Sequence, residues 1–95
     1  MMQYEKEAES KVESELVKKC KLLGFKTYKI TQQTHAPDRL IITPNKGLFF
    51  IECKATGKKP STGQYREHRK IRKLNTSVYI LDHTKDIDAI LGNYI

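Results

Sequence analysis

Pro37-Asp38-Arg39-Leu40-Ile41-Ile42-Thr43-Pro44-Asn45-Lys46-Gly47-Leu48-Phe49-Phe50-Ile51-Glu52-Cys53-Lys54 is the stretch that decides the fold. Two β-rich runs, Asp38 to Thr43 and Leu48 to Ala55, flank the turn-forming Pro44-Asn45-Lys46-Gly47, so the segment reads as a hairpin. Pro37, with no N–H for a ladder, fits the entrance of the first strand. Glu52 and Lys54 break an otherwise burial-fit second strand, and a period of two puts both on one face. Such charges belong to a salt bridge, to a frayed edge or to a site.

Parity makes that choice testable. If residues 42 and 48 face each other across a five-residue loop, Asp38 lies opposite Glu52, with Cβ atoms roughly 4.5–5.5 Å apart. If the loop is instead the four residues 44–47, Asp38 faces the other side of the sheet. Two carboxylates that close repel unless a cation lies between them. A shared cation therefore needs the odd loop, or a bulge that restores it.

Upstream, Ala8, Val12, Leu16, Cys20 and Leu23 recur at helical steps, which predicts an amphipathic helix from Tyr4 to Leu23, ended by Gly24. Glu9 falls near the middle of that apolar stripe and Glu13 at its edge, while Glu7 and Glu15 point away as solvent-facing partners for Lys11 and Lys19. A carboxylate on a core-facing stripe is costly unless hydrogen-bonded, protonated or bound to a cation. A first strand, Phe25 to Thr31, and the polar connection Thr31 to Pro37 lead into the hairpin. Downstream, Ala55 to Pro60 is a basic loop, and Ser61-Thr62-Gly63-Gln64 has the form of a capping box opening a helix to about Leu74. Thr76 to Leu81 is a last strand, followed by a turn and a short helix over Asp82 to Leu91 with Ile87, Ile90 and Leu91 inward. The order α-β-β-β-α-β-α gives an α/β fold, a central mixed sheet flanked by helices. Residues 1–95 are read as a single domain, whose chain buries only roughly 60–65% of its unfolded surface and so places any site at the core's edge.

Eighteen Lys and Arg stand against eleven Asp and Glu, a net charge of +7. Between Lys54 and Lys73 eight cations face Glu67 alone, so the whole surplus lies in one stretch, the footprint of a surface that meets a polyphosphate backbone. That stretch has too few large apolar residues to embed in a membrane, no apolar run reaches the ~18–20 residues of a span, and the start Met1-Met2-Gln3-Tyr4-Glu5-Lys6 has no signal-peptide core. An intracellular location without membrane contact is expected. Cys20 and Cys53 lack metal-site spacing and read as reduced, buried thiols.

Asp38, Glu52 and a helix carboxylate form a hard oxygen set of the kind Mg²⁺ or Mn²⁺ prefers. An ammonium beside it, Lys54, can hold the attacking water and offset charge gathering on a phosphate. Together with the downstream Gln64, Pro37-Asp38 and Glu52-Cys53-Lys54 resemble the PD-(D/E)xK nuclease pattern, specifically the virus-type replication-repair nuclease (VRR-NUC) domain in its stand-alone phage form. The similarity runs from roughly Glu9 to Asp88.

The resemblance implies a restriction-endonuclease-like core. It also implies metal ligation by Asp38, Glu52 and the Cys53 backbone carbonyl, action of Lys54 on the nucleophile, and support from Gln64. For the helical acid it is split: VRR-NUC-like spacing to Gly24 favours Glu9, whereas archaeal Holliday-junction resolvases favour Glu13. The glycine often found before the Pro-Asp pair is here replaced by His35-Ala36. Lys58, Lys59, Arg66, Arg69, Lys70 and Arg72 are the expected phosphate contacts.

Implied overall is a Mg²⁺- or Mn²⁺-dependent endodeoxyribonuclease acting on branched or structured DNA such as a Holliday junction. A homodimer, replication or recombination partners, and a cytoplasmic location, in the host cell if phage-encoded, go with it. A flap or nicking nuclease and a non-catalytic basic DNA-binding module are the alternatives, and nothing in the sequence distinguishes DNA from RNA by a 2′-hydroxyl contact. Gln64 also suits the capping box, His35 a loop or a DNA contact, Tyr65 packing, and His68 and His83 surface or helix-face duties.

Overall fold

Val12, Leu16 and Cys20 recur every four residues, and in a computed structural model of the chain, which describes residues 4–45 and 47–95, they form the fully buried stripe of helix α1 (Glu9–Leu23). Gly24 closes that helix in the left-handed region (φ 74°), where its N–H and that of Phe25 reach back to the last-turn carbonyls of Lys21 and Cys20. Strands β1 (Lys26–Lys29), β2 (Arg39–Thr43), β3 (Gly47–Cys53) and β4 (Val78–Leu81) make one sheet in that order, antiparallel except for the parallel β3–β4 pair. Helix α2 (Thr62–Lys73) is the crossover between β3 and β4. Two 3-10 turns, Thr84–Asp86 and Gly92–Tyr94, flank helix α3 (Ile87–Leu91) in the chain's last part.

Side-chain alternation gives the sheet two different faces. Ile41, Phe49, Ile51, Cys53 and Leu81 point toward α1 and α3, where they join Val12, Leu16, Ile87 and Leu91 in the core. Each fully buried Leu, Ile or Phe there contributes roughly 1.5–3 kcal/mol of transfer free energy. Tyr94 stacks on Phe49 at 4.0 Å between ring centroids, and its hydroxyl pairs with that of Tyr79 at 2.8 Å. The opposite face carries Glu52 under α2, while Tyr28, Ile42 and Leu48 remain about half exposed.

The hairpin pairs Ile42 with Leu48 and Thr43 with Gly47, so the odd loop is the one that forms. Gly47 takes a φ of 89°, a conformation open chiefly to glycine, at the return of the turn. Two expected positions, the start Met1-Met2-Gln3 and Lys46 in the turn, lie outside the described residues.

α1 begins five residues later than the apolar pattern predicts. Residues 4–8 are instead drawn off by tertiary hydrogen bonds: Glu7 N–H donates to Thr56 Oγ1 at 2.8 Å, and Thr56 N–H returns to the Glu7 carbonyl at 3.0 Å. Ala8 is consequently extended (φ −70°, ψ 151°) and exposed, and the buried stripe starts at Val12.

Candidate active site

Continued past Arg39 and Ile51, the register brings Asp38 opposite Glu52 at the end of the hairpin. Pro37, fully buried, would face Cys53 and has no N–H to offer a ladder. The Cys53 N–H donates to Asp38 Oδ2 at 2.7 Å, which ties the Asp38 carboxylate to the strand that carries Glu52. On its other edge β3 continues into β4 through Lys54 N–H to Leu81 O at 2.9 Å.

Glu52 is almost fully buried, beside the Asp38 carboxyl group. Its carboxyl is pushed up to about 8, first by burial, then by the hydrogen bond and charge of Asp38; Glu9 adds to the rise and Lys54 opposes it. From α2, Gln64 Nε2 donates to Glu52 Oε2 at 3.3 Å, and His68 Nε2 stands 3.1 Å from Glu52 Oε1. Gln64 meanwhile keeps both halves of its capping box with Ser61, at 2.8 and 3.1 Å, so one residue starts the helix and reaches the site.

Lys54, half-buried, makes no ion pair or side-chain hydrogen bond among the described residues, and its charge reaches Glu52 and His68. Glu9 is the first residue of α1 and exposed, on the face of the buried stripe but ahead of its first member, Val12. Glu13 is occupied elsewhere, by Lys29 Nζ at 2.7 Å and Arg39 Nη1 at 3.3 Å. Among the described residues no three His, Cys, Asp or Glu side chains are gathered as a ready ligand set. The donors that do meet, Asp38 and Glu52, suit Mg²⁺ or Mn²⁺, since such ions keep several waters and need only one or two carboxylates from a protein.

His35 adopts a left-handed φ of 63°, so the loop before Pro37 makes a glycine-like turn without glycine. Its ring lies over Gly63 in the first turn of α2, where an added Cβ would come within 2.6 Å of the imidazole nitrogens. The loop is thereby seated on the helix that carries Gln64.

No family model matches the sequence. The chain is similar to "Putative nuclease p44" of Acyrthosiphon pisum secondary endosymbiont phage 1, with 38% identity over 85 residues, 87% of this chain and 90% of that protein. Among solved structures it resembles one described as "VRR_NUC domain", at a TM-score of 0.84 and 29% identity, over 92% of this chain and 97% of that one. The chain belongs to the VRR-NUC family.

In this VRR-NUC chain the basic stretch divides by structure. Arg66, Arg69, Lys70 and Lys73 line one shallow groove along α2, and none of them makes an ion pair among the described residues. Lys58 and Lys59 are exposed in the loop after Lys54. Arg72 differs from them, donating to the Val78 carbonyl at 2.6 Å and so bracing α2 against β4.

Sequence reasoning missed two features of this chain. His68, assigned to surface or helix-face duties, is fully buried against Glu52; only its spacing of four from Gln64 could have signalled this. Glu7, expected in solvent, is buried and accepts from Thr84 N–H and Thr84 Oγ1, both at 2.8 Å, beside Lys11 Nζ at 3.1 Å and His83 Nδ1 at 3.3 Å. The hydrogen bonds from Thr84, backbone first, hold its carboxyl down at about 2 against the opposing effect of burial. That clamp joins the start of α1, the loop after Lys54 and the turn after β4. Cys20 and Cys53 are free and buried, and burial raises both thiols, Cys20 to about 11. Among the described residues no helix is long and apolar enough to cross a membrane.

Proposed function

We propose that this chain is a divalent-metal-dependent endonuclease that hydrolyses phosphodiester bonds in branched or structured DNA, with a four-way junction as its substrate and the host cytoplasm as its place of action. The observation that carries this reading is the pairing of the half-buried Asp38 carboxyl, tied to the Cys53 N–H, with the buried Glu52 carboxyl, flanked by Lys54, which has no ion pair among the described residues. A purely structural role would be better served by an apolar pair or by a salt bridge, and Lys54 forms none among the described residues. The relative's name, "Putative nuclease p44", and the basic groove on α2 support the same reading.

Asp38, Glu52 and the Cys53 carbonyl are the groups to hold Mg²⁺ or Mn²⁺, with Glu9 completing the set from the start of α1. A cation there supplies charge neutralisation at the phosphate and activation of water. Lys54 holds the attacking water by hydrogen bonding and offsets the negative charge that grows on the phosphate oxygens. The water oxygen forms a new bond to phosphorus as the bond to the departing sugar oxygen breaks; the water's proton goes to solvent and the departing oxygen takes one up. Gln64 keeps the Glu52 carboxylate in place. Arg66, Arg69, Lys70, Lys58 and Lys59 position the backbone without reading bases, and Arg72 supports them by fixing α2.

Cutting both strands of a junction symmetrically takes two sites, so a two-fold homodimer is the natural assembly. Light scattering that finds a single 11 kDa chain on each bound junction would contradict it. Incubation with junction, flap and duplex DNA, in Mg²⁺ or Mn²⁺ and in chelator, tests the activity itself. Metal-dependent cutting of the junction is expected; preferential cutting of the flap would shift the substrate class, and salt-sensitive binding without any product would leave a basic DNA-binding module.

A further inference from the structure

The geometry points to His68 as a positioning residue that fixes the Glu52 carboxylate for metal binding, by donating its Nε2–H as a neutral imidazole of one tautomer. The inference deepens the metal-site reading above and rests on it.

His68 is fully buried, and its Nδ1 is the one buried side-chain polar atom without a hydrogen-bond partner among the described residues. Its Nε2 has one partner, Glu52 Oε1, at 3.1 Å. An imidazolium would bury an Nδ1–H with no acceptor, and so would the neutral tautomer protonated on Nδ1. The tautomer protonated on Nε2 leaves only a lone pair unused, which costs less than an orphaned donor. That tautomer also gives Glu52 Oε1 the donor it needs once the carboxyl is ionised.

The two oxygens of Glu52 are then divided between two donors one helical turn apart, His68 on Oε1 and Gln64 on Oε2. Each oxygen keeps a lone pair for Asp38's side of the site, and the carboxylate plane cannot rotate without breaking a bond to α2. Tyr65 packs edge-on against the imidazole, with centroids 6.3 Å apart, and adds to the ring's confinement. Groups that orient a metal-binding carboxylate or imidazole in this way typically account for 10–100-fold in metal affinity.

Two measurements test this. In ¹⁵N-labelled native protein without metal, the His68 ring should show a pyrrole-like Nε2 and a pyridine-like Nδ1; the reversed pattern or a doubly protonated ring overturns the inference. Mn²⁺ affinity is then compared by calorimetry in native protein, His68→Gln and His68→Asn. Glutamine places an amide nitrogen near the position of Nε2, whereas asparagine is too short to reach Glu52. We expect affinity close to native for His68→Gln and about 10–100-fold weaker binding for His68→Asn. Tight native binding that is unchanged in a folded His68→Asn variant overturns the role of His68 alone. No Mn²⁺ binding by the native chain overturns the metal-site reading and this inference with it. Should His68→Asn fail to fold, loss of Mn²⁺ affinity in a folded His68→Gln variant would also count against the assignment.

Discussion

The Cys53 N–H donates to Asp38 Oδ2 at 2.7 Å, so the backbone of the strand that carries Glu52 holds the Asp38 carboxylate. Neither acid can move along the hairpin without the other. Their separation is set by the odd turn, by a proline that cannot complete the ladder, and by sheet register, none of which requires a ligand. The site is thus formed in advance, at the cost of keeping two carboxyls together.

That cost gives a pH dependence. Glu52 binds its proton more tightly folded, at about 8, than at the ordinary 4.5, so between these values the metal-free fold holds a proton that the unfolded chain has released. Stability of the metal-free protein should fall as pH rises through that window. Glu52→Gln should remove the dependence and raise stability at pH 8 by about 1 kcal/mol or more, a Tm gain of roughly 4–8 °C per kcal/mol, while abolishing cleavage. Thermal unfolding of both proteins in chelator from pH 5 to 9 checks this, and parallel profiles would refute it.

Glu7 has the opposite sign. Its carboxyl is held down at about 2 by Thr84 and Lys11, so the clamp's contribution is complete above about 4.5 and lost as pH falls toward 2. Urea unfolding between pH 2 and 6 should show a steep acid-side loss in the native protein and a flatter one in Glu7→Gln. An unchanged slope would mean that the clamp carries no charge-dependent stability.

Lys54→Ala should reduce cleavage by about 100–1,000-fold, the usual effect of losing one donor aimed at developing charge, while junction DNA binding stays within a small factor of native. Gel-shift and single-turnover assays separate the two. Native-like cutting by this variant would remove Lys54 from the mechanism.

The groove on α2 predicts a salt effect. Replacing Arg69 and Lys70 by alanine should weaken binding to all DNA forms alike and lower the slope of log affinity against log salt by about 1 per lost phosphate contact. Arg72→Ala should act mainly by destabilising the fold, because its guanidinium braces the Val78 carbonyl. An unchanged slope in the double variant would place the DNA path elsewhere.

The strand alternation, the capping box at Ser61 and the apolar step of four in α1 were legible in the sequence because each is a local consequence of backbone geometry. The hairpin register was legible as a pair of alternatives, and the odd loop that forms is the one a shared site requires. What escaped was tertiary. Residues 4–8 satisfy their backbone groups on Thr56 and His83, which no local pattern encodes, and so α1 starts late and Glu9 is exposed. Glu7 and His68 are polar residues whose burial depends on partners 77 and 16 positions away.

The most direct test of the Asp38–Glu52 pair is calorimetric titration of Mn²⁺ into native protein, Asp38→Asn and Glu52→Gln at pH 7, repeated in buffers of different ionisation enthalpy. The account predicts saturable binding by the native chain with release of close to one proton, and no binding by either variant. Native protein that takes up no Mn²⁺, or variants that bind it as the native chain does, would contradict it.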